Sequence, residues 1–132
     1  MSFLLDTDIC SAFLKNHPRV VARVMLHYGS LSVSVVTVGE LLIWGNRATA
    51  AMTRMRGIVD LIAACQILDI DRRVAEQFGE IRATLLDAGR PIGDMDLLNA
   101  SVALVHNLIV VTHNIADYRD VPGLSIADWL LP

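Results

Sequence analysis

The chain is short of lysine, cysteine, aromatic side chains and long apolar runs, and each shortage narrows what it can be. Of its eleven basic residues ten are Arg, and Lys15 is the only Lys. The two cysteines, Cys10 and Cys65, form neither a disulfide framework nor a metal-type pair. A reducing, cytoplasmic compartment is the expectation that follows. Aromatics are 5% of the residues, too few for a platform that stacks the bases of a single strand. The longest apolar stretches, 58–68 and 100–111, are broken by Asp60 and Gln66 and by His106 and Asn107. Neither reaches the roughly 20 apolar residues of a membrane span. The opening Met-Ser-Phe-Leu-Leu-Asp has no basic flank, so a secretion signal is not expected. Net charge is −3, which excludes a general polyanion binder.

What remains is an apolar, foldable chain. Its 132 residues are 54% hydrophobic and 19% charged, which excludes disorder and suits a single domain spanning 1–132. Phe3–Leu5 reads as a buried strand, and Thr7 or Asp8 can cap a helix to about Lys15. Pro18 opens a second helix to about Tyr28, broken by Gly29-Ser30. Leu31–Val36 is rich in β-branched residues and reads as strand two. Helices follow over about Thr37–Trp44 and Ala48–Ala64, the latter with Met52, Met55, Ile58, Val59 and Ile62 on one face. Ile67–Ile70 is strand three. Val74, Phe78, Ile81 and Leu85 repeat at helical spacing in Arg72–Ala88, which Gly89 ends. A helix over Asp94–His106, strand four over Leu108–Thr112 and a short fifth strand at Ser125-Ile126 complete the pattern. Strands alternating with helices predict an α/β fold: a mostly parallel sheet of about five strands with helices on both faces.

In open sheets of this kind ligands bind beyond the carboxyl ends of the strands. Asp6 follows strand one, Glu40 lies in the first turns after strand two, and Asp117 follows strand four. Asp96 opens the helix that leads into strand four. Each has a plain structural reading as well. Glu40 can close a capping box, Thr37-x-x-Glu40. Asp6 can cap the first helix, and so can Asp8. Asp94 follows Gly93 as an N-cap, and Asp96 then sits where a helix dipole welcomes an acid. Four acids at one sheet edge are harder to explain so. Without cations they repel one another. Oxygen-only ligands favour Mg²⁺ or Mn²⁺, and such an ion neutralises a phosphate and activates water.

Five segments, in order, carry a resemblance: Leu4-Leu5-Asp6-Thr7-Asp8, Ser34-x-x-Thr37-x-x-Glu40-Leu41, Pro91-Ile92-Gly93-x-x-Asp96-x-x-x-Ala100, Val111-Thr112-x-Asn114-x-x-Asp117-Tyr118, and Val121-Pro122-Gly123-Leu124 ahead of Asp128-Trp129. With them the chain resembles PIN-domain ribonucleases, specifically VapC-type toxins of toxin–antitoxin modules, over essentially its whole length. The resemblance implies a three-layer α/β/α sandwich and a Mg²⁺- or Mn²⁺-dependent endoribonuclease. It implies catalytic roles for Asp6, Glu40, Asp96 and Asp117. Asp6 and Asp96 would ligate the metal, Glu40 would orient the attacking water or contact a second metal, and Asp117 would act through metal-bound water. Thr112, Asn114 and Asp8 would support them. The chain departs from the family at Asn99, where an apolar residue is usual, and carries a second acid, Asp94, two positions before Asp96. Were the pair reversed, Asp94 would be the ligand.

The resemblance also implies partners: an RNA substrate, a cognate VapB-type antitoxin and a second copy of the chain, with higher assembly through the antitoxin. DNA would be met only indirectly, through the antitoxin. For RNA, Arg47, Arg54 and Arg56 form one candidate contact cluster and Arg72-Arg73 another, each equally readable as a solvated face. His113, beside the acids, is a further candidate. With so few aromatics, a folded RNA recognised by shape is the expected substrate. Two rival readings stand against the nuclease. Asp6-Thr7-Asp8 imitates an aspartyl-phosphate phosphatase, but that chemistry needs a nearby Lys, and Lys15 lies one or two turns along the first helix. The other is a catalytically inactive PIN-fold scaffold, which would be expected to lack one of the four acids.

Overall fold

A computed structural model describes residues 1–132. Apolar alternation places the strands and amphipathic periodicity places the helices. In chain order these are β1 (Phe3–Leu5), α1 (Thr7–Leu14), α2 (Pro18–Leu26), β2 (Leu31–Ser34), α3 (Val35–Asn46), α4 (Met52–Ala63), β3 (Gln66–Leu68), α5 (Arg72–Asp87), α6 (Asp94–His106), β4 (Ile109–Val111), α7 (Ile115–Tyr118) and β5 (Ile126–Ala127). The sheet order is β3-β2-β1-β4-β5, and every pairing is parallel.

Period-two alternation divides the core. Phe3 and Leu5 of β1, Leu31 and Val33 of β2 and Val111 of β4 pack with Ile9, Cys10, Val20, Val24, Leu41, Ile58 and Leu61 of α1–α4. Leu4 and Val110 point the other way, onto Val74, Ile81, Leu85, Leu97, Ala100, Val102 and Tyr118 of α5–α7. The result is the three-layer α/β/α sandwich. No helix is long and apolar enough to cross a membrane.

Strand β1 is central, and the chain leaves it for β2 on one side and reaches β4 on the other. The carboxyl ends of β1 and β4 therefore flank a topological switch point, where open α/β sheets form their ligand crevices. Asp6 follows one of these strands and Thr112 the other.

Some expected boundaries move. Strand two ends at Ser34, because the Ser34 hydroxyl accepts the Thr37 amide at 3.3 Å and starts α3 at Val35. Thr37 is thus inside the helix, and the Thr37–Glu40 capping box does not form. Asp6, not Thr7 or Asp8, caps α1, accepting the Thr7 amide. Gly93, not Asp94, stands at the cap of α6. Strand three stops at Leu68, since Asp71 is drawn off to cap α5 through the Val74 amide. The α5 helix ends on Gly89 at φ 65°, a left-handed position where Gly avoids a Cβ clash. The four-residue α7 was not anticipated: four residues carry too little periodicity to read.

Candidate active site

Asp6 is 5% exposed and no cation pairs with it. Three neutral donors hold it instead. Its Oδ1 accepts the Thr7 amide at 2.9 Å and the Asn99 amide at 3.2 Å, and its Oδ2 accepts the Thr112 hydroxyl at 2.9 Å. A buried carboxylate is tolerated only with such partners or a counter-ion. Thr112 is itself fixed, because its oxygen accepts the Asn114 backbone amide at 3.1 Å. Asn114 thus supports the edge through its backbone, at the cap of α7.

Glu40 is half-buried on the second turn of α3. Its Oε1 accepts the Thr7 hydroxyl at 2.7 Å, so Glu40 turns toward β1 and away from its own helix cap. Asp96 lies on the first turn of α6 and accepts the Tyr118 hydroxyl at 3.3 Å. Burial, then the like charges of Asp6 and Asp117, push its carboxyl up to about 6, with a smaller push from Glu40. The acids named from the sequence therefore lie close enough to act on one another. Asp117 is the exposed member. Asp8 is held by two backbone amides. It accepts the Ile9 amide at 2.8 Å and the His113 amide at 2.9 Å, and burial followed by the Asp6 charge raises its carboxyl.

Asp94 is directed elsewhere. Two residues along a helix is a turn of about 200°, and Asp94 points outward, 2.6 Å from Arg82 with its side chain 79% exposed. No Lys, Arg or His pairs with Asp6, Glu40, Asp96 or Asp117; the ion pairs are Arg72–Glu76, Arg82–Asp94, Arg90–Asp120 and His113–Asp128.

The candidate RNA contacts separate. Arg54 is committed, its guanidinium 4.5 Å from the Trp44 ring and donating to the Trp44 carbonyl. Arg47 and Arg56 are exposed and enter no ion pair. Arg73 donates to the Val105 carbonyl, at the far end of α6 from Asp96, so the 72–73 pair faces away from the acids. His113 is not a lone surface imidazole. Its Nδ1 lies 2.8 Å from Asp128, whose side chain is only 6% exposed, while its backbone amide is held by Asp8.

Sequence reading offered Thr7 only as a helix cap and Asn99 only as a departure, and met Ser34 and Tyr118 only as members of the resembling segments. Tyr118 is fully buried, and burial with the charges of Asp6 and Asp96 drives its phenol far upward, so it stays a donor. A signal existed for Asn99: it lies three residues after Asp96, on the same helical face.

The donor set suits a hard cation: oxygen ligands, negative charge without a counter-ion, and a carboxyl already pushed up by crowding. No three His, Cys, Asp or Glu side chains converge into a ready-made cage. Mg²⁺ does not require such a cage, being usually held by one or two carboxylates with water and substrate phosphate completing its shell. The edge is open. The hollow beside it, about 380 Å³, is lined by Glu40 with apolar neighbours such as Val36, Ile43, Met95 and Leu98.

The PIN domain family matches residues 3–124, and the chain belongs to it. Among its relatives, a protein of Shigella flexneri named tRNA(fMet)-specific endonuclease VapC is 35% identical, covering 98% of both chains. Ribonuclease VapC2 of Haemophilus influenzae is 29% identical over 98% of this chain and 99% of its own. In a solved structure of DNA-bound VapBC from Salmonella typhimurium, one chain superposes with a TM-score of 0.91, at 32% identity and 98% coverage of each.

Proposed function

We propose that this chain is a VapC-type endoribonuclease, a toxin that hydrolyses RNA phosphodiester bonds with divalent metal and is silenced by a VapB-type antitoxin. The observation that carries this reading is the set of four acids at the carboxyl edge with no cation among them. Mg²⁺ or Mn²⁺, when bound, supplies charge neutralisation for the phosphate and a more acidic water. Asp6 and Asp96 are the residues to hold it: one is fixed by three donors, the other by Tyr118. Glu40, braced by Thr7, would orient the attacking water or contact a second metal. Asp117, exposed at the rim, adds negative charge toward which a hydrated cation is drawn. His113, aligned by Asp128 and Asp8, is a candidate contact for a backbone phosphate, with Arg47 and Arg56 as further contacts.

The Shigella relative's name makes tRNA(fMet) the first substrate to try, and its folded shape agrees with the scarcity of stacking aromatics. Exposed apolar side chains on α2–α4, such as Met25, Leu26, Ile43 and Met52, supply surface for an antitoxin and a second copy of the chain. DNA would then be reached through the antitoxin. The test is incubation of the purified, antitoxin-free chain with total RNA and with tRNA(fMet), in Mg²⁺, in Mn²⁺ and in chelator. Cleavage confined to the metal-containing reactions is expected. No cleavage of any RNA under any of these conditions would instead favour a PIN-fold binding scaffold.

A further inference from the structure

The Asn99 side chain is 1% exposed and fully used. Its Oδ1 accepts the Ser34 hydroxyl, and its Nδ2 donates to Asp6 Oδ1 at 3.2 Å and to the Thr37 hydroxyl at 3.4 Å. The amide can face only one way. A carboxylate accepts and cannot donate, so turning the amide oxygen toward Asp6 would set two acceptors against each other. The Ser34 hydroxyl, on the opposite side, rewards the same orientation. Ser34 is fixed in turn, since its oxygen accepts the Thr37 amide that starts α3.

The consequence falls on Asp6. With Asn99 in place, Oδ1 has two donors, the Thr7 amide and Asn99, whereas Oδ2 has only the Thr112 hydroxyl. Oδ2 is therefore the oxygen with a lone pair to spare. A Leu of similar size at this position would remove one Oδ1 donor and strand the Ser34 and Thr37 hydroxyls.

We propose that Asn99 is a positioning residue, which locks the Asp6 carboxylate in one orientation so that Oδ2 is presented to the divalent cation. This rests on the metal-dependent reading above. Groups that orient a ligand without touching the metal typically change metal affinity about 10- to 100-fold.

The experiment is calorimetric titration of Mn²⁺ into the RNA-free protein, comparing wild type, Asn99→Leu and Ser34→Ala, with Asp6→Asn as reference. Asn99→Leu is expected to bind Mn²⁺ about 10-fold more weakly. Ser34→Ala, which removes the anchor on the amide oxygen together with the α3 cap but leaves the Asn99–Asp6 bond, should shift affinity in the same direction by less. In RNA cleavage Asn99→Leu should lower kcat and leave KM for RNA unchanged. A folded Asn99→Leu with wild-type Mn²⁺ affinity overturns the proposal, even if its melting temperature in chelator falls, because that is a packing role only. If Asn99→Leu does not fold, Ser34→Ala decides, and unchanged Mn²⁺ binding there overturns it too. A wild type that takes up no Mn²⁺ defeats the metal-dependent reading and this inference with it. Mn²⁺ binding equal in all the folded variants except Asp6→Asn defeats this inference alone.

Discussion

Acids in two regions of the molecule are treated in opposite ways. Along the flank of α5–α7, Glu76, Asp94 and Asp120 each meet an Arg. At the carboxyl edge of the sheet, Asp6, Glu40, Asp96 and Asp117 meet none, although ten Arg were available to the chain. There the partners are neutral hydroxyls and amides: Thr7, Asn99, Thr112 and Tyr118. Neutral donors hold a carboxylate in place without cancelling its charge, whereas an Arg would cancel it. The flank uses acids as surface pairs, worth at most about 1 kcal/mol each. The edge keeps its charge uncompensated, and a bound cation would offset the cost of that half-buried charge.

The largest test of this contrast is catalytic. Asp6→Asn and Asp96→Asn should each lose roughly 10³-fold in RNA cleavage, since each removes charge where the transition state needs it. Asp94→Asn, two residues away, should cleave at nearly the wild-type rate. Growth arrest on induction should follow the same order. Arrest that survives in Asp6→Asn would separate toxicity from cleavage, and an inactive Asp94→Asn would transfer the ligand role to Asp94.

Next in size is the energy of the crowded charge. Two carboxylates about 4 Å apart repel by roughly 4 kcal/mol at an effective dielectric near 20, less what solvent and protonation relieve. Asp96→Asn should therefore melt higher than wild type in chelator, by on the order of 1 kcal/mol, and Mg²⁺ should raise wild type more than the variant. A lower melting temperature in the variant would mean that Asp96 is a structural partner, not a crowded charge.

Burial, with the same crowding added to it, sets a pH dependence. Asp96 is pushed up from 3.8 to about 6, so between those values the folded state holds more protons than the unfolded one. Stability then falls as pH rises through this window and levels off above it. In chelator the gap between wild type and Asp96→Asn should open between pH 3.8 and about 6, and Mg²⁺ should close it. A gap that widens toward acid would have the wrong sign.

How legible the two regions were differs for the same reason that their chemistry does. Strands, helices and the acids at the strand ends follow local periodicity, and Asp6 and Asp96 could be found because they open helices after β1 and before β4. Of the neutral partners only Thr112 was named, and that through the family resemblance. Thr112 reaches Asp6 across 106 positions and Asn99 across 93, separations no local pattern records. For Glu40 a local capping box competed with the acid-edge reading, and the deciding partner, Thr7, is 33 positions away. The partner of His113, Asp128, directly follows β5 and lies 15 positions away. The Arg82–Asp94 pair was missed because it joins two helices, although Asp94 itself had been set apart from the metal.

The smallest effect comes from breaking the flank. Arg82 donates to Asp94 at 2.6 Å and to the Ile92 carbonyl at 2.9 Å, and its guanidinium lies 5.6 Å from the Phe78 ring. Asp94→Asn removes only an exposed charge and its favourable place on the first turn of α6, so about 0.5 kcal/mol is expected. Arg82→Ala should cost about 1 kcal/mol, because it also frees a carbonyl and uncovers the ring. Salt should erase most of the first loss and little of the second, since screening weakens exposed charges but not packing. Both variants should bind Mn²⁺ and cleave RNA as wild type does. If Arg82→Ala instead weakens Mn²⁺ binding, the loop over Pro91–Gly93 that Arg82 anchors is steering Asp96, and the flank and the edge are one device.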